Sequence, residues 1–226
     1  MLDKARLAGA LYLALSIAGV FSVLYVPSVV IVRGDAAATA ARIADAALLF
    51  RIGIAADLFA SFLFLFLVWT LYQLLESVDR KLALLMVMLV SISAGMSILN
   101  LVNKIAPLVL SSGAGFLSVF PKPQLDALAL AFLRLHDGGL EIISAFWGLW
   151  LFPFGILVIR SGFFPKILGI LLFVAGAAYL AGSFLSIVLP AYSSSISKVL
   201  MPLEAAELPM LFWLLVKGAP VARMPA

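Results

Sequence analysis

The chain has 226 residues, of which 65% are hydrophobic and only 12% are charged, with a net charge of +4 and a mean hydropathy of +1.22. A soluble domain carries roughly 25% charged residues, so most of this surface must face lipid rather than water. The absence of cysteine excludes disulfides, thiolate metal sites and cysteine nucleophiles, and the single histidine, His136, excludes a multi-histidine zinc or haem site within one chain.

Six apolar runs follow one another along the chain, at residues 7–27, 48–75, 82–103, 139–159, 165–189 and 200–216. Each run is long enough to cross a hydrocarbon core of about 30 Å as a helix. The first run follows Lys4 and Arg6 as in a signal peptide, but it is too long for one and no cleavage site follows directly. The sequence therefore predicts an all-α, polytopic integral membrane helix bundle of six transmembrane helices. We expect one domain over residues 1–218 and a short cytoplasmic tail over residues 219–226.

The basic residues predict the orientation of the bundle. Lysines and arginines gather at both termini and in the short connections after the second and fourth runs, as Lys4, Arg6, Arg80, Lys81, Arg160, Lys166, Lys217 and Arg223. The opposite connections are longer and carry charges of both signs. Because cytoplasmic loops carry an excess of lysine and arginine, both termini are predicted to lie in the cytoplasm.

The two long outer connections are predicted to contain short helical segments. Residues 35–48 are rich in alanine, and Asp35 stands where it can cap a helix. Residues 123–136 mix leucine and phenylalanine with charged side chains, which is typical of an amphipathic helix. Each segment either lies at the membrane interface or extends the following transmembrane helix beyond the membrane.

Glu207 is the most unusual charged residue, because it lies ten positions before Lys217 inside the last apolar run. At 1.5 Å per residue this places it about 15 Å from the inner end, near the bilayer centre. Pro202 and Pro209 flank it, and proline removes a backbone donor, so the helix is predicted to be kinked or broken there. Glu207 either belongs to a functional site or joins helices as a structural hydrogen bond.

Other polar residues lie toward the outer ends of the spans. Together with Glu207 they predict a polar cavity open to the outer side, although charges at these positions also simply mark the water interface. The candidate binding residues are Arg51, Asp57, Asn100, His136, Asp137, Glu141 and Glu207.

Few specific chemistries fit these residues. His136 and Asp137 lie near Ser144 in the sequence, but no nucleophile elbow accompanies them. No metal-binding spacing and no glycine-rich phosphate loop are present, so neither a metal nor a cofactor is predicted. The expected partners are membrane lipids and a small-molecule or ion ligand, without nucleic acid. The oligomeric state stays open.

Several motifs resemble those of a bacterial membrane family known as domain of unknown function 4386. They are Gly34-Asp35-Ala36, Leu49-Phe50-Arg51 through Asp57, Leu135-His136-Asp137, Arg160-Ser161-Gly162-Phe163 through Gly169, and Glu207 through Gly218. The resemblance covers nearly the whole chain and implies a six-helix inner-membrane protein, but it implies no activity. Of the candidate binding residues, the matching motifs contain Arg51, Asp57, His136, Asp137 and Glu207. Lys104 and Glu204 lie outside the motifs and are therefore weaker candidates.

Three functions remain open from the sequence. The first is the binding or transport of a small molecule or ion through the polar cavity. The second is a metal-free intramembrane enzyme for a lipid-like substrate, with His136, Asp137 and Glu141 as acid and base groups. The third is a non-catalytic accessory protein in which the charged residues only hold helices together.

Overall fold

The computed structural model describes residues 2–219, with side chains from Lys4 onward. Within this range it contains no strand, and the helices are joined by short turns, as the composition predicts. The α-helices are α1 (Leu2–Gly19), α2 (Val26–Val30), α3 (Ala36–Asp45), α4 (Ala47–Leu75), α5 (Arg80–Leu110), α6 (Lys122–Leu149), α7 (Leu151–Ser161), α8 (Lys166–Val188), α9 (Ser193–Glu204) and α10 (Leu208–Val216). Of the predicted cytoplasmic tail only Ala219 falls in the described range, and Arg223 lies outside it.

Six helical segments are long and apolar enough to cross a membrane, which confirms the predicted number of spans. They are Lys4–Val30, Ala47–Leu75, Arg80–Leu110, Lys122–Ser161, Lys166–Val188 and Pro190–Val216. Each overlaps one predicted apolar run, although the fourth and sixth spans begin well before the predicted runs 139–159 and 200–216. The chain is therefore a multi-pass helical membrane protein.

The first outer connection contains the predicted capped helix. The Asp35 carboxylate accepts a hydrogen bond from the backbone N–H of Ala38 at 2.9 Å, which satisfies one of the free donors at the start of α3. The Thr39 hydroxyl also donates to the Val32 carbonyl at 3.1 Å, and Ile43 of α3 is buried. These contacts hold α3 against the end of the first span.

In the second outer connection, the predicted helical segment is an extension of the following span and not a separate helix at the membrane interface. Residues 123–136 form the first half of α6, so they extend the fourth span rather than form a separate helix. The whole span Lys122–Ser161 has 40 residues, or about 60 Å, roughly twice the thickness of a hydrocarbon core. Before α6 the connection keeps only a 3₁₀ turn at Gly115–Leu117.

Two spans depart from regular α-helix. The last span changes to a 3₁₀ segment at Ala205–Glu207, which confirms the predicted break between Pro202 and Pro209. The first span contains a π-helical segment at Val20–Tyr25, just before Pro27, and nothing in the sequence analysis predicted it. Both irregular segments lie next to the polar groups described below.

The chain divides into two compact units. The first unit comprises Met1–Leu15, Phe62–Gly95 and Glu141–Ala226, and the second comprises Ser16–Ser61 and Met96–Leu140, in each case as far as the residues are described. Each unit has a hydrophobic core of its own.

The core of the first unit is large and rich in aromatic side chains. Trp150 lies within this core, where its ring packs edge-on against Phe64 and stacks on Phe154 with centroids 5.3 Å apart in both pairs.

At the surface of this unit Arg160 forms an ion pair with Asp79 at 3.0 Å, which joins two of the connections predicted to share one side of the membrane.

Glycines bring the backbones of the fourth and fifth spans together in the first unit. A Cβ atom on Gly148 would lie 2.6 Å from the Gly176 carbonyl oxygen, and one on Gly155 would lie 2.9 Å from the Gly169 carbonyl oxygen. Similarly, a Cβ atom on Gly9 would lie 2.4 Å from the Leu215 nitrogen. Small residues of this kind allow the close helix packing on which membrane bundles depend.

The second unit has a much smaller apolar core, made of Val26, Val30, Ile43, Phe50 and Leu133. Several of its buried groups are polar instead. Lys104, Asn100 and His136 are each less than 9% exposed, although charged and polar side chains are costly to bury in a membrane protein. The second unit therefore contains the strongest indications of function.

Candidate functional site

A buried ion pair joins the second and third spans in the second unit. Lys104 of α5 donates to the Asp57 carboxylate of α4 at 2.5 Å, with the two side chains 5% and 16% exposed. In a low-dielectric interior such a charge requires a partner of opposite sign, and each residue supplies it for the other.

Lys104 also contacts the irregular part of the first span. Its ammonium group lies 3.3 Å from the carbonyl oxygen of Ser22, which is inside the π-helical segment Val20–Tyr25. A π-helical turn changes the regular pattern of backbone hydrogen bonds, and such turns are frequent at functional sites. The lysine thus connects three spans through one charged group.

Asn100 and Gly139 fix the position of His136. The Asn100 side chain donates to the His136 carbonyl oxygen at 2.9 Å and accepts a hydrogen bond from Asn103 at 2.9 Å. A Cβ atom on Gly139 would lie 2.5 Å from the Asn100 side-chain oxygen, so a larger residue there would move this asparagine from its hydrogen bonds. The His136 ring is buried, and its Nδ1 lies 3.7 Å from the exposed Asp137 carboxylate, too far for a hydrogen bond.

A cavity of about 570 Å³ lies beside these groups, entirely within the second unit. Ligand pockets typically measure about 300–1,000 Å³, so the cavity is large enough for a small molecule. Apolar side chains form much of its wall. Six polar or charged side chains line it as well, namely Ser28, Arg33, Lys104, Arg134, His136 and Asp137.

The charge of the cavity is positive. Arg33 and Arg134 are exposed, and neither forms a hydrogen bond or ion pair with any residue between 2 and 219. Lys104 is balanced by Asp57, so the two arginines face one carboxylate, Asp137. The cavity therefore favours an anionic ligand.

The structure brings some of the predicted site residues together and separates others. His136 and Asp137 line the cavity, while Asp57 and Asn100 hold Lys104 and His136 in place. Arg51 is exposed on α4 and does not line the cavity. Glu141 and Glu207 belong to the first unit.

Glu207 is the centre of a separate network in the first unit. One of its carboxylate oxygens accepts a hydrogen bond from the Tyr179 hydroxyl at 2.9 Å, and the other accepts one from the Tyr12 hydroxyl. The carboxylate thus joins the first, fifth and sixth spans at the 3₁₀ break.

Sequence reasoning missed the partners of these acidic groups. Lys104 was ranked low, although opposite charges toward the outer ends of two consecutive spans were a signal that they pair. Tyr12 and Tyr179 were not considered, although a tyrosine hydroxyl inside an apolar span needs an acceptor.

The Ser144 hydroxyl donates to the Glu141 carbonyl at 2.8 Å, which is a hydrogen bond within α6.

Metal binding finds no support within the described part of the chain. No group of three or more histidine, aspartate or glutamate side chains there is placed to hold an ion. The residues around the cavity instead offer hydrogen-bond donors and positive charge.

Comparison with known proteins identifies a family but no activity. The family model described as domain of unknown function DUF4386 matches residues 7–218. An uncharacterized protein of Archaeoglobus fulgidus is 30% identical over 107 residues, which cover 45% of this chain and 63% of the relative. The chain thus matches less than two thirds of the length of that relative. No solved structure matches the chain.

Proposed function

We propose that this chain, which belongs to the family described as domain of unknown function DUF4386, is a small-molecule-binding membrane protein. The ligand binds in the cavity of the second unit. The observation that carries the proposal is the cavity of about 570 Å³, lined by the buried His136 and by Arg33 and Arg134, which have no partner in the described structure.

The surrounding structure supports binding because it holds the polar groups in fixed positions. Lys104 is held by Asp57 and Ser22, and the backbone of His136 is held by the Asn100 side chain. Preorganised groups lose little conformational freedom when a ligand arrives, which favours affinity. Arg33 and Arg134 remain available to a ligand, because neither has a partner in the described structure.

The test of binding uses the absence of cysteine in the chain. Leu140 lines the cavity, so a Leu140→Cys variant can be modified with a bulky maleimide that blocks it. A Ser112→Cys variant provides the control, because Ser112 is exposed in the connection before α6 and does not line the cavity.

Native mass spectrometry of the protein purified in mild detergent gives the readout. We expect a small-molecule adduct that is lost when the Leu140→Cys variant is blocked and kept when the Ser112→Cys variant is modified. An adduct that persists in the blocked protein, or no adduct in the unmodified protein, contradicts the proposal.

We also propose that the chain lies in the inner (plasma) membrane with both termini in the cytoplasm. The support is the excess of lysine and arginine in the short connections. Ser77 lies in the short connection before α5, and Ser112 lies in a long one. A membrane-impermeant maleimide should label Ser112→Cys in intact cells and label Ser77→Cys only after permeabilisation. The reverse pattern contradicts this orientation.

A further inference from the structure

The walls of the cavity change in character from one end to the other. Arg33 follows the end of the first span. Arg134 lies 27 residues before Ser161, about 40 Å along the fourth span, so it stands beyond a hydrocarbon core of about 30 Å. Both arginines are therefore at the level expected for lipid headgroups. Leu24, which also lines the cavity, is 50% exposed inside the apolar first span, where its neighbours are hydrocarbon. The cavity therefore joins a polar region to an apolar one.

From this gradient we infer that the ligand is an acidic lipid whose phosphate headgroup lies between Arg33 and Arg134 and whose acyl chains leave the cavity beside Leu24. The inference rests on the proposed function and adds the class of the ligand. A guanidinium group has a planar fork of donors that matches phosphate oxygens in pairs.

Asp137 adds a second requirement to the headgroup. It is an exposed carboxylate on the same cavity wall, so it repels a bare anion but accepts hydrogen bonds from hydroxyl groups. A headgroup that carries a phosphate and free hydroxyls, such as phosphoglycerol, satisfies the arginines and the aspartate together. A zwitterionic phosphocholine headgroup offers no hydroxyl and carries no net charge.

The remaining wall suits the upper part of an acyl chain. Val23, Pro27 and Ile31 line the cavity, and each is partly exposed, so they present apolar surface to it. Gly53 lies on the same wall, where a Cβ atom would approach the Val26 methyl groups to 3.1 Å. Because lipid tails are already in an apolar environment, this wall accommodates the chain while the charged residues select the headgroup.

The experiment measures how fast a maleimide modifies the Leu140→Cys variant in nanodiscs, because a bound lipid shields this position. The discs contain phosphatidylcholine alone or phosphatidylcholine with phosphatidylglycerol, and a third sample adds soluble glycerol phosphate to phosphatidylcholine discs. We expect phosphatidylglycerol to slow the modification and the other two conditions to leave it unchanged.

Charge variants test which residues recognise the headgroup. Arg33→Gln and Arg134→Gln, each made in the Leu140→Cys background, should weaken protection by phosphatidylglycerol about tenfold or more, because each loses a hydrogen bond to a charged group. Lys198→Gln removes an exposed positive charge from α9, which does not line the cavity, and should keep full protection.

The other outcomes separate this inference from the proposed function. Equal protection by soluble glycerol phosphate shows that no acyl chain is needed and overturns the lipid assignment. Equal protection by phosphatidylcholine overturns the role of the arginines. If no lipid protects although the adduct found by mass spectrometry persists, the ligand class is wrong while the cavity still binds a small molecule.

Discussion

The two units of this protein use different means to hold helices together. The first unit relies on close backbone packing at Gly148 and Gly155 and on a core of aromatic side chains around Trp150. The second unit has only a small apolar core and depends on polar contacts, above all the pair of Lys104 and Asp57. A region that leaves space open must position its groups through directed interactions. This difference supports the proposed ligand binding in the second unit and a mainly structural role for the first.

Loss of the lysine should have the largest effect on stability. Lys104→Met leaves the partly buried Asp57 without a counter-charge, and removing one partner of a buried ion pair costs about 3–5 kcal/mol. We expect a large fall in the thermal unfolding midpoint measured by fluorescence in detergent. The double variant Lys104→Met with Asp57→Leu should regain much of the loss, since it removes both charges. A single variant as stable as the natural chain would contradict the structural importance of the pair.

Close packing in the first unit predicts the next largest effect. Gly9→Ala places a Cβ atom 2.4 Å from the Leu215 nitrogen, and overpacking of this kind costs about 1–3 kcal/mol. Gly95→Ala is the matched control, because it lies in a helix of the same unit with no atom within 4 Å of the added Cβ. We expect a lower unfolding midpoint for the first variant alone. Equal midpoints would show that the helices can separate freely at Gly9.

The network around Glu207 predicts a smaller loss. Tyr179→Phe removes one hydrogen bond between two spans, and interhelical bonds of this type contribute about 1 kcal/mol. Tyr192→Phe is the control, since Tyr192 is largely exposed and forms no hydrogen bond through its hydroxyl in the described structure. The same unfolding measurement should distinguish the two variants. If ligand binding by the second unit also fell in Tyr179→Phe, the assignment of separate roles would need revision.

The smallest effect on the unfolding midpoint is expected at the cap of α3. Asp35→Ala leaves the Ala38 N–H without its acceptor, at a cost of about 1 kcal/mol. Because the cap is local, hydrogen exchange should quicken in α3 while the unfolding midpoint changes little. Asp45→Ala, at the other end of the same helix, serves as the comparison. Unchanged exchange would show that Thr39 alone holds the start of the helix.

The sequence predicted the elements better than their contacts. The six spans, the Asp35 cap and the break near Glu207 follow from local patterns of apolar residues, caps and prolines, which act within a few positions. The partners Lys104, Tyr12 and Tyr179 depend on the rotation of each helix about its axis, which no single span determines. The π-helical segment at Val20–Tyr25 depends equally on tertiary contacts, although Pro27 marks the place where regular helix is disturbed.

The glycine contacts between the fourth and fifth spans also restrict changes in chain length. Gly148 and Gly155 are seven residues apart, as are Gly169 and Gly176, so each pair lies about two turns along one helix face. One residue inserted between Gly148 and Gly155 would turn one glycine by about 100° relative to the other, so both could not face α8. This stretch should therefore accept many exchanges of its lipid-facing side chains but no insertion or deletion. A scan of single-residue insertions would detect this constraint as a window of lost expression between Gly148 and Gly155, inside the span that ends before Gly162.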